Sequence, residues 1–330
     1  MTHTTALRMR AVHGERYGTA DQLELRDLPV PAPAEDRVLI RVHASSVNAF
    51  DHHMTTGTPL MARSMAGVRV PKRPVPGADV AGVVEAVGSE VDGFEVGDRV
   101  FGNIGFGAWA EYASANPRAI THLPGEVSFE DAAATPLAGL TALQAVRDDG
   151  AVQPGDRVLV NGASGGVGTF AVQIAKALGA GVTAVCSTGK VARARAIGAD
   201  RVIDYTKEDF TVVAGGHDVL IDNAGTRGWF ATRRTLVEGG RNVTITGPKH
   251  LVFGPLRNML FRKVLSRFDS RSFTSGTART VRADLDVLGA MLAGGRIAPV
   301  VERVWALEEA PRALAALAEG HAAGKHVISV

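Results

Sequence analysis

Asn161-Gly162-Ala163-Ser164-Gly165-Gly166-Val167-Gly168 constrains this chain more than any other stretch. It stands between the apolar run Val158-Leu159-Val160 and a segment, Val167 to Leu178, whose apolar residues recur at helical spacing. A chain that turns from a buried strand into a helix through glycine builds a strand–turn–helix unit. Repeats of that unit give a parallel sheet with helices on both faces. The glycines let the main chain approach a pyrophosphate, and the first N–H groups of the helix face that anion with the positive end of the helix dipole. The spacing is Gly-x-x-Gly-x-x-Gly rather than Gly-x-Gly-x-x-Gly, so the strand–turn–helix context carries the reading; the alternative is a tight turn without a ligand.

The alternation continues through Val182 to Cys186, Arg201 to Tyr205, Asp218 to Asp222 and Asn242 to Ile245, each read as a strand. Before about Pro124 the texture differs. Arg37 to Val42 alternates polar and apolar residues, Asp79 to Val87 reads as another strand, and glycines follow at turn-like spacing, which suggests a β barrel or sandwich. After the middle section come a helix around Val281 to Leu292, a strand-like Ile297 to Val301, a helix around Glu309 to Glu319 and a last strand, Val327 to Val330. A chain of 330 residues exceeds one ordinary core. The expected organisation is a β-rich domain from 1–124 and 275–330, completed by the returning tail, around a doubly wound α/β domain at 125–274.

Hydrophobic residues make up 45% and charged residues 21%, as in a packed globular protein, and the formal net charge is +2. So small a charge gives no argument for nucleic acid, which normally calls for a concentrated basic surface. Cys186 is the single cysteine, so no intramolecular disulfide can form, which suits a reducing compartment. Neither a signal-like leader nor a membrane-length apolar run is visible, and a cytoplasmic location is expected. The stretch 251–271 interleaves Phe253, Leu256, Met259 and Phe261 with Arg257, Arg262 and Lys263; it reads as a cap over a substrate cleft or a subunit contact, with a membrane-surface helix as the alternative.

The end of the second strand chooses the dinucleotide. Sites that prefer NAD place an acid there for the ribose 2′-hydroxyl. Cys186-Ser187-Thr188-Gly189-Lys190 offers hydroxyls and a cation instead, which suits a 2′-phosphate, so NADPH is the expected cofactor. Alternatively Lys190 merely opens the next helix in solvent.

Several segments, in order and over nearly the whole chain, resemble the zinc-independent quinone oxidoreductase-like branch of the medium-chain dehydrogenase/reductase superfamily. They are Ala44 to Asn48, Pro76 to Val84, Gly97 to Gly102, Pro136 to Ala142, the glycine loop, Gly198 to Tyr205 and Gly324-Lys325. The resemblance implies a GroES-like catalytic domain and a Rossmann domain. It puts Asn48 and Thr141 near the nicotinamide and Ala163, Ser164, Gly165, Gly166, Val167 and Gly168 on the pyrophosphate. Ser187, Lys190 and Tyr205 fall around the adenosine 2′-phosphate, where the hydroxyl of Thr188 is expected from the residues themselves, although Tyr205 could equally cover the adenine side of the sheet. Asn223, Gly247 and Lys325 complete the implied cofactor-binding set. A homodimer joined edge to edge through the Rossmann sheet, with Arg241 to Gly247 as the edge, is also implied.

Zinc-dependent members of the superfamily hold their metal with a cysteine and a histidine from the first domain. Here Asn48 follows Val47, and Ala78-Asp79 follows Pro76-Gly77, so no metal is expected. Without one, reduction of a small apolar carbonyl, enone or quinone needs donors for the developing oxyanion. Asn48, Asp51 and His53 share one segment beside the implied nicotinamide position and form the candidate catalytic set. His53 is the candidate proton donor, or else lines the pocket while solvent supplies the proton. Asp51 could instead hold local backbone. Metal-free ketone–alcohol interconversion, and an NADPH sensor with little turnover, are the competing functions.

Overall fold

The computed structural model describes residues 7–60, 62–245, 269–276, 278–320 and 323–330. The chain forms two compact units, one of Met1–Leu137, Thr280–Ala293 and Val301–Val330, the other of Ala138–Arg279 and Gly294–Val300. The first unit therefore also takes 125–137, which includes the helix Phe129–Ala134 packed on the β-rich sheet.

In the first unit, β1 (Arg8–His13) and β2 (Glu24–Pro29) form a two-stranded antiparallel ribbon. The seven-stranded sheet contains β3 (Val38–Val47), β4 (Asp79–Val87), β5 (Arg99–Asn103), β6 (Tyr112–Ala115), β7 (Ile120–His122), β14 (Val301–Ala306) and β15 (Lys325–Ser329). Its order is β14-β15-β3-β4-β5-β7, with β6 also on β3. Only β14 and β15 pair in parallel. Val38, Ile40 and Val42 alternate inward on β3 to meet Val80, Val84, Val100 and Ile120, and this buried set is the unit's main core. Pro76-Gly77 leads into β4 beneath the buried Trp109: Gly77 has φ +99°, and a Cβ there would lie 2.5 Å from the indole. Glycine is thus required both by conformation and by space.

Among its described residues the second unit holds six parallel strands: β8 (Arg157–Asn161), β9 (Gly181–Cys186), β10 (Arg201–Asp204), β11 (His217–Asp222), β12 (Leu236–Thr244) and β13 (Ser272–Ser275). Their order is β10-β9-β8-β11-β12-β13. The chain winds outward from β8 in one direction, then returns to β11 and winds the other way, so the switch point lies between β8 and β11. Val158, Leu159 and Val160 are all fully buried, because helices cover both faces of such a sheet.

Two expectations are corrected here. β12 pairs with both β11 and β13, so the 241–247 stretch does not begin as a sheet edge; among the described residues β13 is the outer strand on that side. Ile297 to Val300 is not a strand, and β14 begins only at Val301. The Gln173 amide accepts from the Ala298 N–H at 2.8 Å and donates to its carbonyl at 2.9 Å, which satisfies that main chain without a ladder. Pro299, with no N–H, could not have extended one.

Candidate functional site

In the second unit, the helix Gly166–Ala177 begins at the switch point with Gly165 as its N-cap and no side chain capping it. The first intrahelical bond runs from the Thr169 N–H to the Gly165 carbonyl at 3.0 Å, so the N–H groups of Gly166, Val167 and Gly168 precede the hydrogen-bonded ladder. A Cβ on Gly168 would fall 2.1 Å from the Gly162 carbonyl oxygen, so only glycine lets the loop lie this close on its helix. Ala163, buried, ties the loop down through its N–H to the Val185 carbonyl at 3.1 Å. Across the switch point the Asn223 N–H donates to the Asn161 carbonyl at 3.0 Å, while the Asn161 side chain donates to Asp222 at 2.8 Å. A twelve-residue helix with an uncapped N-terminus behind a glycine turn fits the pyrophosphate of a dinucleotide. Half-buried Thr141 sits on the helix Pro136–Leu143. Gly247 and residues 251–268 lie outside the described residues.

Ser187 and Lys190 are half-buried past the end of β9, and Tyr205 projects into solvent just past β10, its N–H bonded to the Cys186 carbonyl at 3.1 Å. The structure adds a group that the sequence window Cys186 to Lys190 does not contain. The Asp204 carboxylate, at the end of β10 and in register with Cys186, accepts the Thr188 hydroxyl at 2.5 Å and the Thr206 hydroxyl at 2.7 Å. These hydrogen bonds, the Thr188 one foremost, hold its pKa below the usual carboxylate value. Thr188 thus spends its proton on Asp204, and an acid stands beside the expected phosphate subsite after all. Only pairing of adjacent parallel strands brings residues sixteen apart into this contact.

In the first unit, Asn48 caps the helix Ala49–Thr56. The Asp51 carboxylate accepts the Asn48 N–H at 2.8 Å and the Ala78 N–H at 3.0 Å, which joins the helix start to the approach of β4. Burial first, and then the charge of Asp79, push Asp51 up to about 7. Asp79, fully buried, accepts from the Ser46 hydroxyl and the Asn48 side-chain amide at 2.9 Å each on one oxygen. Its other oxygen takes the Asn103 amide at 2.8 Å and the Leu137 N–H at 3.0 Å. Lys325 on β15 is also buried; its ammonium donates to the Asn48 side-chain oxygen and, at 3.2 Å, to the Val47 carbonyl.

Asn48, Asp51 and Lys325 are therefore brought together, with Asp79 as a partner that sequence reasoning did not assign. The signal for it was a carboxylate opening the otherwise apolar run Val80 to Val84. His53 is separate from this cluster: it is exposed, and its Nδ1 lies 2.7 Å from the Thr58 carbonyl. If that nitrogen carries the proton, the neutral ring presents a bare Nε2, so only the imidazolium can donate there.

The donor set does not fit zinc. Asn48 and Ala78 supply no ligand, both oxygens of Asp79 are engaged by donors, and Cys186 is buried in β9. Among the described residues no group of three or more His, Cys, Asp or Glu is placed to hold a metal. Nor is any helix of those residues long and apolar enough to cross a membrane.

Comparisons with known proteins follow the same lines. Residues 34–125 match the alcohol dehydrogenase GroES-like domain family, and residues 197–328 match a family described as zinc-binding dehydrogenase. A chloroplastic quinone-oxidoreductase, QR1, from Triphysaria versicolor is 30% identical, over 97% of this chain and 98% of that one. The 2-methylene-furan-3-one reductase of Solanum lycopersicum is 38% identical over 72% of this chain and 62% of its own length. The Escherichia coli quinone oxidoreductase solved with NADPH superposes with a TM-score of 0.84 at 26% identity, covering 97% of this chain and all 100% of that one. A glycine loop at the switch point of a parallel sheet, a GroES-like sheet and relatives matched over nearly their whole length agree: this chain belongs to the quinone oxidoreductase-like branch of the medium-chain dehydrogenase/reductase superfamily.

Proposed function

We propose that this protein is a zinc-independent, NADPH-dependent reductase of quinones or α,β-unsaturated carbonyls. The observation that carries the reading is the uncapped start of the helix Gly166–Ala177 behind its glycine loop. Relatives named for quinone and enone reduction support the substrate class, and the NADPH complex of the E. coli relative supports the cofactor. Bound there, the cofactor supplies a hydride. The chain's own groups do the rest. The amides of Gly166, Val167 and Gly168 take the pyrophosphate. Ser187, Lys190 and Tyr205 face the adenosine end, where Lys190 favours a 2′-phosphate and Asp204 opposes it. Asn48 and Thr141 take the nicotinamide side. Asp51 holds the Asn48 and Ala78 backbone, and His53 or solvent supplies the proton that follows the hydride.

We also propose a cytoplasmic location and a homodimer, neither of which needs a membrane or nucleic-acid partner. The test is titration of the protein with NADPH and NADH, followed by the fluorescence of the reduced ring, and then product analysis with an enone. Tighter binding of NADPH and a saturated ketone are expected. An allylic alcohol would favour ketone–alcohol interconversion, and tight NADPH binding without reduction of any acceptor would leave the sensor reading.

A further inference from the structure

Beneath Asn48 the first unit buries two carboxylates and one ammonium, Asp51, Asp79 and Lys325. Three such charges cannot be neutralised in pairs, and an unpaired charge in an apolar interior is costly. Burial draws the Lys325 ammonium down, while Asp79 and then Asp51 work to keep its proton on. An ammonium has three protons. Around this one lie the Val47 carbonyl at 3.2 Å, the Asn48 side-chain oxygen and the Asp79 carboxylate at 3.9 Å. The Asn48 amide is held at both ends: its oxygen takes a proton from Lys325, and its nitrogen donates to Asp79 at 2.9 Å. A flipped amide would set N–H against ammonium and carbonyl against carboxylate, so one orientation is enforced.

We propose that Asp79 and Lys325 are positioning residues of the hydride-transfer site, which clamp the Asn48 side chain from both ends without themselves touching cofactor or substrate. This rests on the placement of Asn48 beside the nicotinamide, and it moves Lys325 from cofactor ligand to clamp. The ionisable groups acting on Lys325 are Asp79 on β4 and Asp51 on the helix Ala49–Thr56. On β15 itself, His326 accepts from Trp305 at 3.2 Å and lies 3.9 Å from Glu302, both on β14. The helix Phe129–Ala134, also packed on β15, carries half-buried Glu130 and Asp131, and Glu130 acts on His43 of β3. The remaining β3 neighbours, Ser45 and Ser46, are neutral.

The experiment compares Asp79→Asn, Lys325→Met and the double variant with the wild-type chain, using NADPH and a water-soluble benzoquinone across pH. Each single change should lower kcat about 10- to 100-fold, as misplacement of a reacting group does, with NADPH affinity within about threefold. The clamp assigns an acid limb of the profile to Asp51 and an alkaline limb to Lys325; in Asp79→Asn both groups lose the charge that raises them, so both of these limbs move to lower pH. In Lys325→Met the alkaline limb disappears and the acid limb moves up. The double variant should be no slower than either single one, because the residues act as a unit. It leaves neither clamp charge without its partner, so if a single variant does not fold, loss of the Lys325 limb in the double variant carries the pH test. Folded variants that keep the wild-type pH profile, or losses that multiply in the double variant, would overturn the clamp alone. A wild-type chain that binds NADPH and reduces no acceptor overturns the proposed function, and the clamp with it.

Discussion

Asp51 joins stability to pH at the scale of one residue. Its carboxyl moves from the ordinary 3.8 up to about 7 because it is buried and faces Asp79. Between those values the folded chain holds a proton that the unfolded chain has released. Stability is therefore fully present below the unfolded value and declines as pH rises through the folded one. The melting temperature should fall between about pH 4 and 7 from this source, and Asp51→Asn should flatten that decline at the cost of one backbone acceptor. A melt series whose slope the variant leaves unchanged would refute it. His53 makes a second prediction. If it donates the proton, His53→Ala should lower kcat by about 100-fold or more with NADPH still bound. A loss under about threefold assigns the proton to solvent, the outcome favoured by a ring whose Nδ1 is engaged with Thr58.

At the scale of an element, the glycine loop and its helix were legible in the sequence because their constraints are local. Val158 to Val160 demand burial, the turn demands glycine, and helical spacing follows at once. Gly168→Ala would press a methyl into the Gly162 carbonyl, 2.1 Å from the new Cβ. It should cost about 1–3 kcal/mol of stability and weaken NADPH binding at least tenfold, read by thermal melting and ring fluorescence; unchanged affinity would show that the loop does not hold the pyrophosphate. The strand expected at Ile297 to Val301 shows the converse. Its apolar run has the right composition, but Gln173, far away in sequence, occupies both main-chain groups of Ala298.

For the whole molecule, a homodimer joined through the second unit's sheet would use its edge at β13, because β12 is enclosed by β11 and β13. Light scattering should then give twice the chain mass, unchanged by salt; a monomer at micromolar concentration would remove the dimer. The sequence by itself determined the alternating strand and helix order, the glycine turn and the family, since each is written in residues close together along the chain. Tertiary structure decided which charges meet. Asp79, Lys325 and Asn48 come from β4, β15 and the end of β3, and Asp204 reaches Thr188 across two paired strands. Local spacing carries no information about such contacts, because burial and strand pairing create them only after distant segments have packed.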